Sequence, residues 1–101
     1  MLDSEQNYRK SDHAEQRKSE GRPVATAFID VQRATQSEIF LQLDGRYIVR
    51  GLKGREHIFE VTGELITSYH RSHNAHLSKM RDGDRQPVTV GQYMIFKEIF
   101  R

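Results

Sequence analysis

Arg55, His57, Thr67 and Tyr69 are the residues of this chain whose types suit chemistry on a phosphodiester. An imidazole titrates near neutrality and can move the proton of a 2′-hydroxyl. A guanidinium holds the negative charge that develops on phosphorus, with a hydroxyl and a phenol as further donors. The four side chains meet if Val61-Thr62-Gly63 closes a hairpin as a three-residue loop. Thr disfavours positive φ, so a left-handed Gly63 with a G1 bulge suits this loop better than a type I′ turn. In that register Glu60 faces Glu64, Phe59 faces Leu65, His57 faces Thr67 and Arg55 faces Tyr69. Cross-strand partners share a face, so all four candidates gather at one end of it. His70 falls on the opposite face, at a strand end where the chain turns and can bring it round. A two-residue loop sets His57 opposite Ser68 and Arg55 opposite His70 instead. An ordinary half-buried role for His57, between Glu56 and Ile58, competes with the catalytic one.

Other chemistries find less support. His73 and His76 have the i, i+3 spacing of a zinc pair on a helix. His70 precedes the helix cap, however, and no carboxylate stands at matching spacing, so neither a metal nor a cofactor is expected. The chain has no cysteine, which removes disulfides and thiolate ligands. No phosphate-binding loop, nucleophile elbow, zinc-protease or dinucleotide fingerprint occurs. Arg46, Arg50, Lys53, Arg71, Lys79, Arg81 and Arg85 outnumber the acidic residues among them, with Tyr47 and Tyr69 interleaved as stacking surfaces. That pattern fits a nucleic-acid face, and it also fits cations that merely solubilise a small sheet.

These residues need rigid elements, and Glu38 to His70 supplies them as a four-stranded antiparallel meander, strands near 38–43, 46–51, 55–61 and 64–70. Asp44-Gly45 reads as a type I′ turn with positive φ at both residues. It pairs Leu43 with Arg46, Leu41 with Ile48 and Ile39 with Arg50 on one face, and leaves Phe40, Gln42, Tyr47 and Val49 on the other. Gly51 and Gly54 bracket the second turn. Apolar side chains on both faces call for helices on both. One precedes the sheet near 24–34, where Val24, Ala27, Phe28, Val31 and Ala34 recur at helical spacing, although a strand competes there. Ser72 caps a second over 73–82, anchored by Leu77 and Met80 and stopped at Gly83. Residues 81–87 read as a polar loop. Thr89 and Gln92 form a capping box for the last helix, 90–100, with Tyr93, Met94, Phe96 and Phe100 placed to pack. The fold class is α+β.

A chain of 101 residues is one domain with one modest core. Residues 1–22 are polar almost throughout and read as a linker or frayed helix, leaving 23–101 as the domain. No apolar run approaches a membrane span, and no apolar segment follows Met1 as a secretory leader requires. The net charge of +2 leans toward acidic partners such as RNA.

A helix followed by an antiparallel meander carrying basic, His and hydroxyl residues resembles the barnase/EndoU/colicin/RelE-like group of small ribonucleases. The segment Arg55-Glu56-His57-Ile58-Phe59-Glu60-Val61-Thr62-Gly63-Glu64-Leu65-Ile66-Thr67-Ser68 is similar to the strand–TGE–strand hairpin of colicin-type tRNA-cleaving toxin domains, which end bacterial polymorphic and contact-dependent inhibition toxins. The resemblance covers residues 24–70; the last two helices lie outside it. It implies metal-independent cleavage of RNA, tRNA among the candidates, by 2′-hydroxyl attack. It also implies a 2′,3′-cyclic phosphate product and a cognate immunity protein; a monomer is expected rather than an oligomer, in the cytoplasm, which is that of the target cell for a delivered toxin domain. A non-catalytic nucleic-acid- or protein-binding module of phage or bacterial origin is the alternative. An immunity-type inhibitor of an RNA-binding enzyme is disfavoured, since it would be acidic.

Overall fold

A computed structural model describes residues 23–101; the expected linker, 1–22, lies outside them. A 3-10 turn at Pro23–Thr26 leads into helix α1, Ala27–Arg33. Strands β1 (Ile39–Gln42), β2 (Tyr47–Arg50), β3 (Arg55–Phe59) and β4 (Leu65–His70) follow. Helix α2 (His73–Arg81), strand β5 (Arg85–Pro87) and helix α3 (Val90–Ile99) complete the order. The fold is α+β, as the sequence implies, with all sheet pairings antiparallel and strand order β4-β3-β2-β1-β5.

The fifth strand corrects the reading of 81–87 as a loop. Arg85, Gln86 and Pro87 pair with Gln42, Leu41 and Phe40 along the free edge of β1. Proline is tolerated there because an edge strand has one side with no ladder to complete.

The first hairpin also differs from expectation. Gly45 has φ +90°, while Asp44 keeps a negative φ. Gly45 N–H donates to the Gln42 carbonyl at 3.0 Å, and Gln42 N–H to the Arg46 carbonyl at 2.8 Å. The loop is thus Leu43-Asp44-Gly45, with only its last residue left-handed. Asp44 Oδ1 accepts the Arg46 N–H at 3.0 Å, which fixes this geometry locally. One extra loop residue shifts the register to Ile39↔Val49, Phe40↔Ile48 and Leu41↔Tyr47. It puts Ile39, Leu41, Tyr47 and Val49 on one face, and Phe40 and Ile48 on the other.

Each face has its own core. On the first, Val24, Ala27 and Val31 from the α1 segment and Phe96 and Phe100 from the α3 end pack on Ile39, Tyr47, Val49, Phe59 and Leu65. The aromatic groups interlock: Phe96 stacks on Tyr47 at 4.6 Å between centroids and meets Phe59 edge-on at 5.6 Å. On the second, Phe40, Ile48 and Ile58 are joined by Ile66, Tyr69 and by Met80 of α2. Ser72 Oγ accepts the Ala75 N–H, and Thr89 and Gln92 form the expected capping box. Of the residues expected to anchor α2, Met80 packs and Leu77 stays exposed. Among the described residues no helix is long and apolar enough to cross a membrane.

Candidate functional site

The β3–β4 hairpin decides which polar side chains can act together. Near its turn the expected three-residue loop is present: Gly63 has φ +92°, Gly63 N–H donates to the Glu60 carbonyl, and Phe59 pairs with Leu65. One step further a β-bulge inserts Ile66, so Ile58 pairs with Thr67, His57 with Ser68, Glu56 with Tyr69 and Arg55 with His70. The bulge lets Ile66 join the second core beside Ile58. It corrects the expected pairing of His57 with Thr67 and Arg55 with Tyr69. Arg55, His57 and Ser68 share the first face, while Thr67 and Tyr69 lie on the second. His70, expected on the face opposite His57, is on the same one. The four-residue cluster is therefore split across the sheet.

On the first face His57 is sealed in. Its side chain has 0% exposure, its Nδ1 lies 2.6 Å from Ser68 Oγ, and its Nε2 lies 2.6 Å from Asp30 Oδ2. Arg55 grips the same carboxylate with a fork: Nε to Oδ2 and Nη2 to Oδ1, both at 2.8 Å. Burial raises the Asp30 pKa, but the hydrogen bonds and charges of Arg55 and His57 outweigh it and hold the group at about 2. The constellation has the residue types of a hydrolytic triad, but its imidazole is fully enclosed, and its carboxylate, 2% exposed, meets only the edge of the hollow beside Gly51. It ties α1 to β3 and β4.

On the second face three arginines converge on one carboxylate. Glu56 is fully buried and accepts from Arg50 Nη1, from Arg71 Nε at 3.2 Å, and from Arg85 Nη1 and Nη2 at 2.6 and 3.1 Å. Burial pushes its carboxyl up, and the Arg85 and Arg50 guanidiniums more than offset that, so its pKa is lowered. Arg71 lies over the Tyr69 ring at 5.1 Å, a cation–π contact. Burial raises the Tyr69 pKa, which keeps the phenol protonated. Arg85 Nη1 also donates to His76 Nδ1 at 3.2 Å. Burial, then the Arg50 and Arg85 charges, lowers the His76 pKa and favours a neutral acceptor. Three cations against one anion leave this cluster with surplus positive charge.

The surplus reaches the surface at one end of the sheet. Arg85 is closed off at 2% side-chain exposure, whereas Arg50 keeps 13% and Arg71 28%. Ser37, Glu38, Phe40, Arg50, Gly51, His73 and His76 line a cleft of about 310 Å³ there. A second hollow of about 210 Å³, lined by Arg33, Ala34 and Leu52 among others, shares Glu38, Arg50 and Gly51 with it. The turn carrying Lys53 closes on the same end, where Arg71 N–H donates to the Gly54 carbonyl at 2.8 Å.

The other expected nucleic-acid contacts lie elsewhere. Arg46 pairs with Glu60 at 3.0 Å, and Lys79 with Asp84 at 3.6 Å. Arg81 is exposed on the last turn of α2. Among the described residues no group of three or more His, Asp or Glu side chains is placed to hold a metal ion.

Sequence reasoning missed Asp30, Glu38 and Glu56, and considered His73 and His76 only as metal ligands. Two signals were present. Asp30 sits on the apolar stripe of α1, between Ala27 and Ala34, and Glu56 lies in a strand whose odd and even positions are both needed by a core. A carboxylate at such a position requires buried cations. Comparison of the chain with family models, curated proteins and solved structures finds no match.

Proposed function

We propose that this protein binds RNA, taking a phosphate of an unstacked nucleotide in the cleft lined by Arg50 and His73, with Arg71 beside Arg50 on the shared Glu56 carboxylate. The observation that supports this is the convergence of Arg50, Arg71 and Arg85 on the single carboxylate of Glu56. Arg85 balances that carboxylate inside the protein, and Arg50 and Arg71 bring to the surface more positive charge than the one Glu38 carboxylate of the cleft offsets. Guanidinium forks suit phosphate oxygens better than ammonium groups do. A concavity of about 310 Å³ is the size of one nucleotide, not of a duplex groove. Single-stranded loops offer such nucleotides, which is how RNA is commonly read.

The test is titration of a fluorescent single-stranded RNA with protein at several salt concentrations. Affinity should fall with salt at a slope of about 0.7 per phosphate contacted, and Arg71→Ala should weaken it by roughly tenfold. No saturable binding at low salt, or an unchanged Arg71→Ala protein, sinks this reading.

Metal-independent cleavage at the same cleft is a second reading, favoured by one observation: Glu38 and His73 line it together with Arg50. Glu38 would take the 2′-hydroxyl proton as the O2′–P bond forms. His73, as imidazolium, would protonate the 5′-oxygen as the P–O5′ bond breaks, leaving a 2′,3′-cyclic phosphate. Arg50 and Arg71 would hold the phosphorane charge. This reading retains the expected reaction but transfers its acid and base from His57 to residues a substrate can touch. A toxin role and an immunity partner belong to it, and an acidic inhibitor would then cover this cleft.

A further inference from the structure

Glu56 is fully buried and does not line the cleft, to which it is linked through Arg50. It nevertheless engages every arginine of the cluster. Arg85 gives it both terminal nitrogens, at 2.6 and 3.1 Å, and is nearly sealed. Arg50 gives it Nη1 and spans to the Arg71 carbonyl with Nη2 at 3.3 Å. Arg71 gives it Nε at 3.2 Å. The two partly exposed guanidiniums are therefore tied to one carboxylate, and that of Arg50 is fixed in addition to the Arg71 backbone.

We infer that Glu56 is a positioning residue for phosphate binding: anchored by Arg85, it holds Arg50 and Arg71 converged before a ligand arrives. This rests on the RNA-binding reading. A free arginine is a flexible cation that must be ordered when it binds, and ordering it in advance removes that cost from the binding step. The carboxylate has an opposite effect as well, because its negative charge repels a phosphate nearby. Simple electrostatics says that neutralising Glu56 strengthens binding of a polyanion; positioning says that it weakens binding. The two effects differ in sign, which makes the inference decidable.

The experiment compares single-stranded RNA binding by wild type, Glu56→Gln, Glu56→Asp, Arg71→Lys and Glu60→Gln, each first shown to be folded by its thermal melt. Glu60→Gln is the charge control, since Glu60 pairs with Arg46 at the opposite end of the sheet. Glu56→Gln and Glu56→Asp should bind roughly tenfold more weakly than wild type, the first despite its gain in net positive charge. The salt slope of Glu56→Gln should become shallower by about one phosphate contact, ~0.7. Glu60→Gln should bind as wild type or slightly tighter. Arg71→Lys keeps the charge but cannot present a fork to Glu56 and phosphate together, and should also weaken binding several-fold. Tighter or unchanged binding by Glu56→Gln overturns the inference while RNA binding stands. Should that variant fail to fold, wild-type affinity in Glu56→Asp or Arg71→Lys overturns it equally. If wild type itself does not bind, the functional reading falls and this inference with it.

Discussion

His57 Nε2 and Asp30 Oδ2 lie 2.6 Å apart in the interior, and Arg55 Nε donates to the same oxygen at 2.8 Å. The contact joins a helix to the centre of the sheet through charged groups instead of apolar ones. Removing one partner of a buried pair strands the other, which costs about 3–5 kcal/mol. Asp30→Asn should therefore lower stability by about that much in urea unfolding at neutral pH. A loss below about 1 kcal/mol would mean that water reaches Arg55 and His57 far more easily than this packing allows.

The same carboxylate sets an acid limit. Its pKa is about 2 in the folded protein against an ordinary value of 3.8. A carboxyl with a depressed folded value adds stability above its unfolded pKa and loses that contribution as pH falls through the folded one. Asp30 should thus contribute roughly 2 kcal/mol above about pH 4, disappearing toward about pH 2. Glu56, also depressed, acts in the same direction. Unfolding free energy measured from pH 7 downward should begin to fall below about pH 6.5, where His76 with its lowered folded value starts to lose its contribution, and should drop further below about pH 4; Asp30→Asn should flatten the second, acid part of the drop.

Gly51 gives a steric test of this arrangement. A Cβ placed on it would lie 2.3 Å from Asp30 Oδ2, while its own φ of −109° suits any residue. Gly51→Ala should destabilise the fold by about 1–3 kcal/mol through overpacking alone. A neutral effect in thermal melts would show that the Asp30 carboxylate can move away from Arg55 and His57 at little cost.

Phe96 carries the apolar half of the same face. It is fully buried between Tyr47, Phe59 and Phe100. Phe96→Ala should cost about 3–5 kcal/mol, as large deletions from a packed core do. Removal of residues 90–101 should abolish the cooperative melt; a truncated chain that melts like the full one would put this helix outside the core.

These elements differ in how far sequence could reveal them. The Thr89–Gln92 capping box, Ser72, Gly63 and the burial of Phe96 and Phe100 follow from local rules of spacing and turn chemistry, and they were legible. The Asp44-Gly45 turn was not, because Asp-Gly serves both a two-residue loop and the end of a three-residue one. The choice is made by which face buries Tyr47 and Val49, a tertiary matter. β5 was hidden for a similar reason: Arg85-Gln86-Pro87 has no strand pattern, and only the open edge of β1 recruits it. The bulge at Ile66 moved every candidate site residue beyond it. Reading a polar cluster from register alone fails whenever one inserted residue can exchange the faces.

His57 and His73 separate stability from action, and the last prediction compares them under the cleavage reading. His57 is enclosed, with both ring nitrogens engaged, whereas His73 is exposed at the start of α2 on the wall of the cleft. His57→Ala leaves Ser68 without its partner and Asp30 with Arg55 alone, and opens a cavity, so its main effect should be a loss of about 3–5 kcal/mol of stability. His73 is exposed and touches the interior only through a loose ring contact with His76 at 6.3 Å, so His73→Ala should change stability by no more than about 0.5 kcal/mol. If the cleft cuts RNA, His73→Ala should lower the rate by about 10²–10⁴-fold at an unchanged melting temperature. The comparison uses purified protein and total tRNA, with and without EDTA, beside melts of both variants. Full activity in folded His73→Ala would remove the acid from this mechanism. Activity lost in a His57→Ala protein that melts like wild type would return the proton transfer to the buried histidine, and would require the Asp30–Arg55 lock to open during turnover.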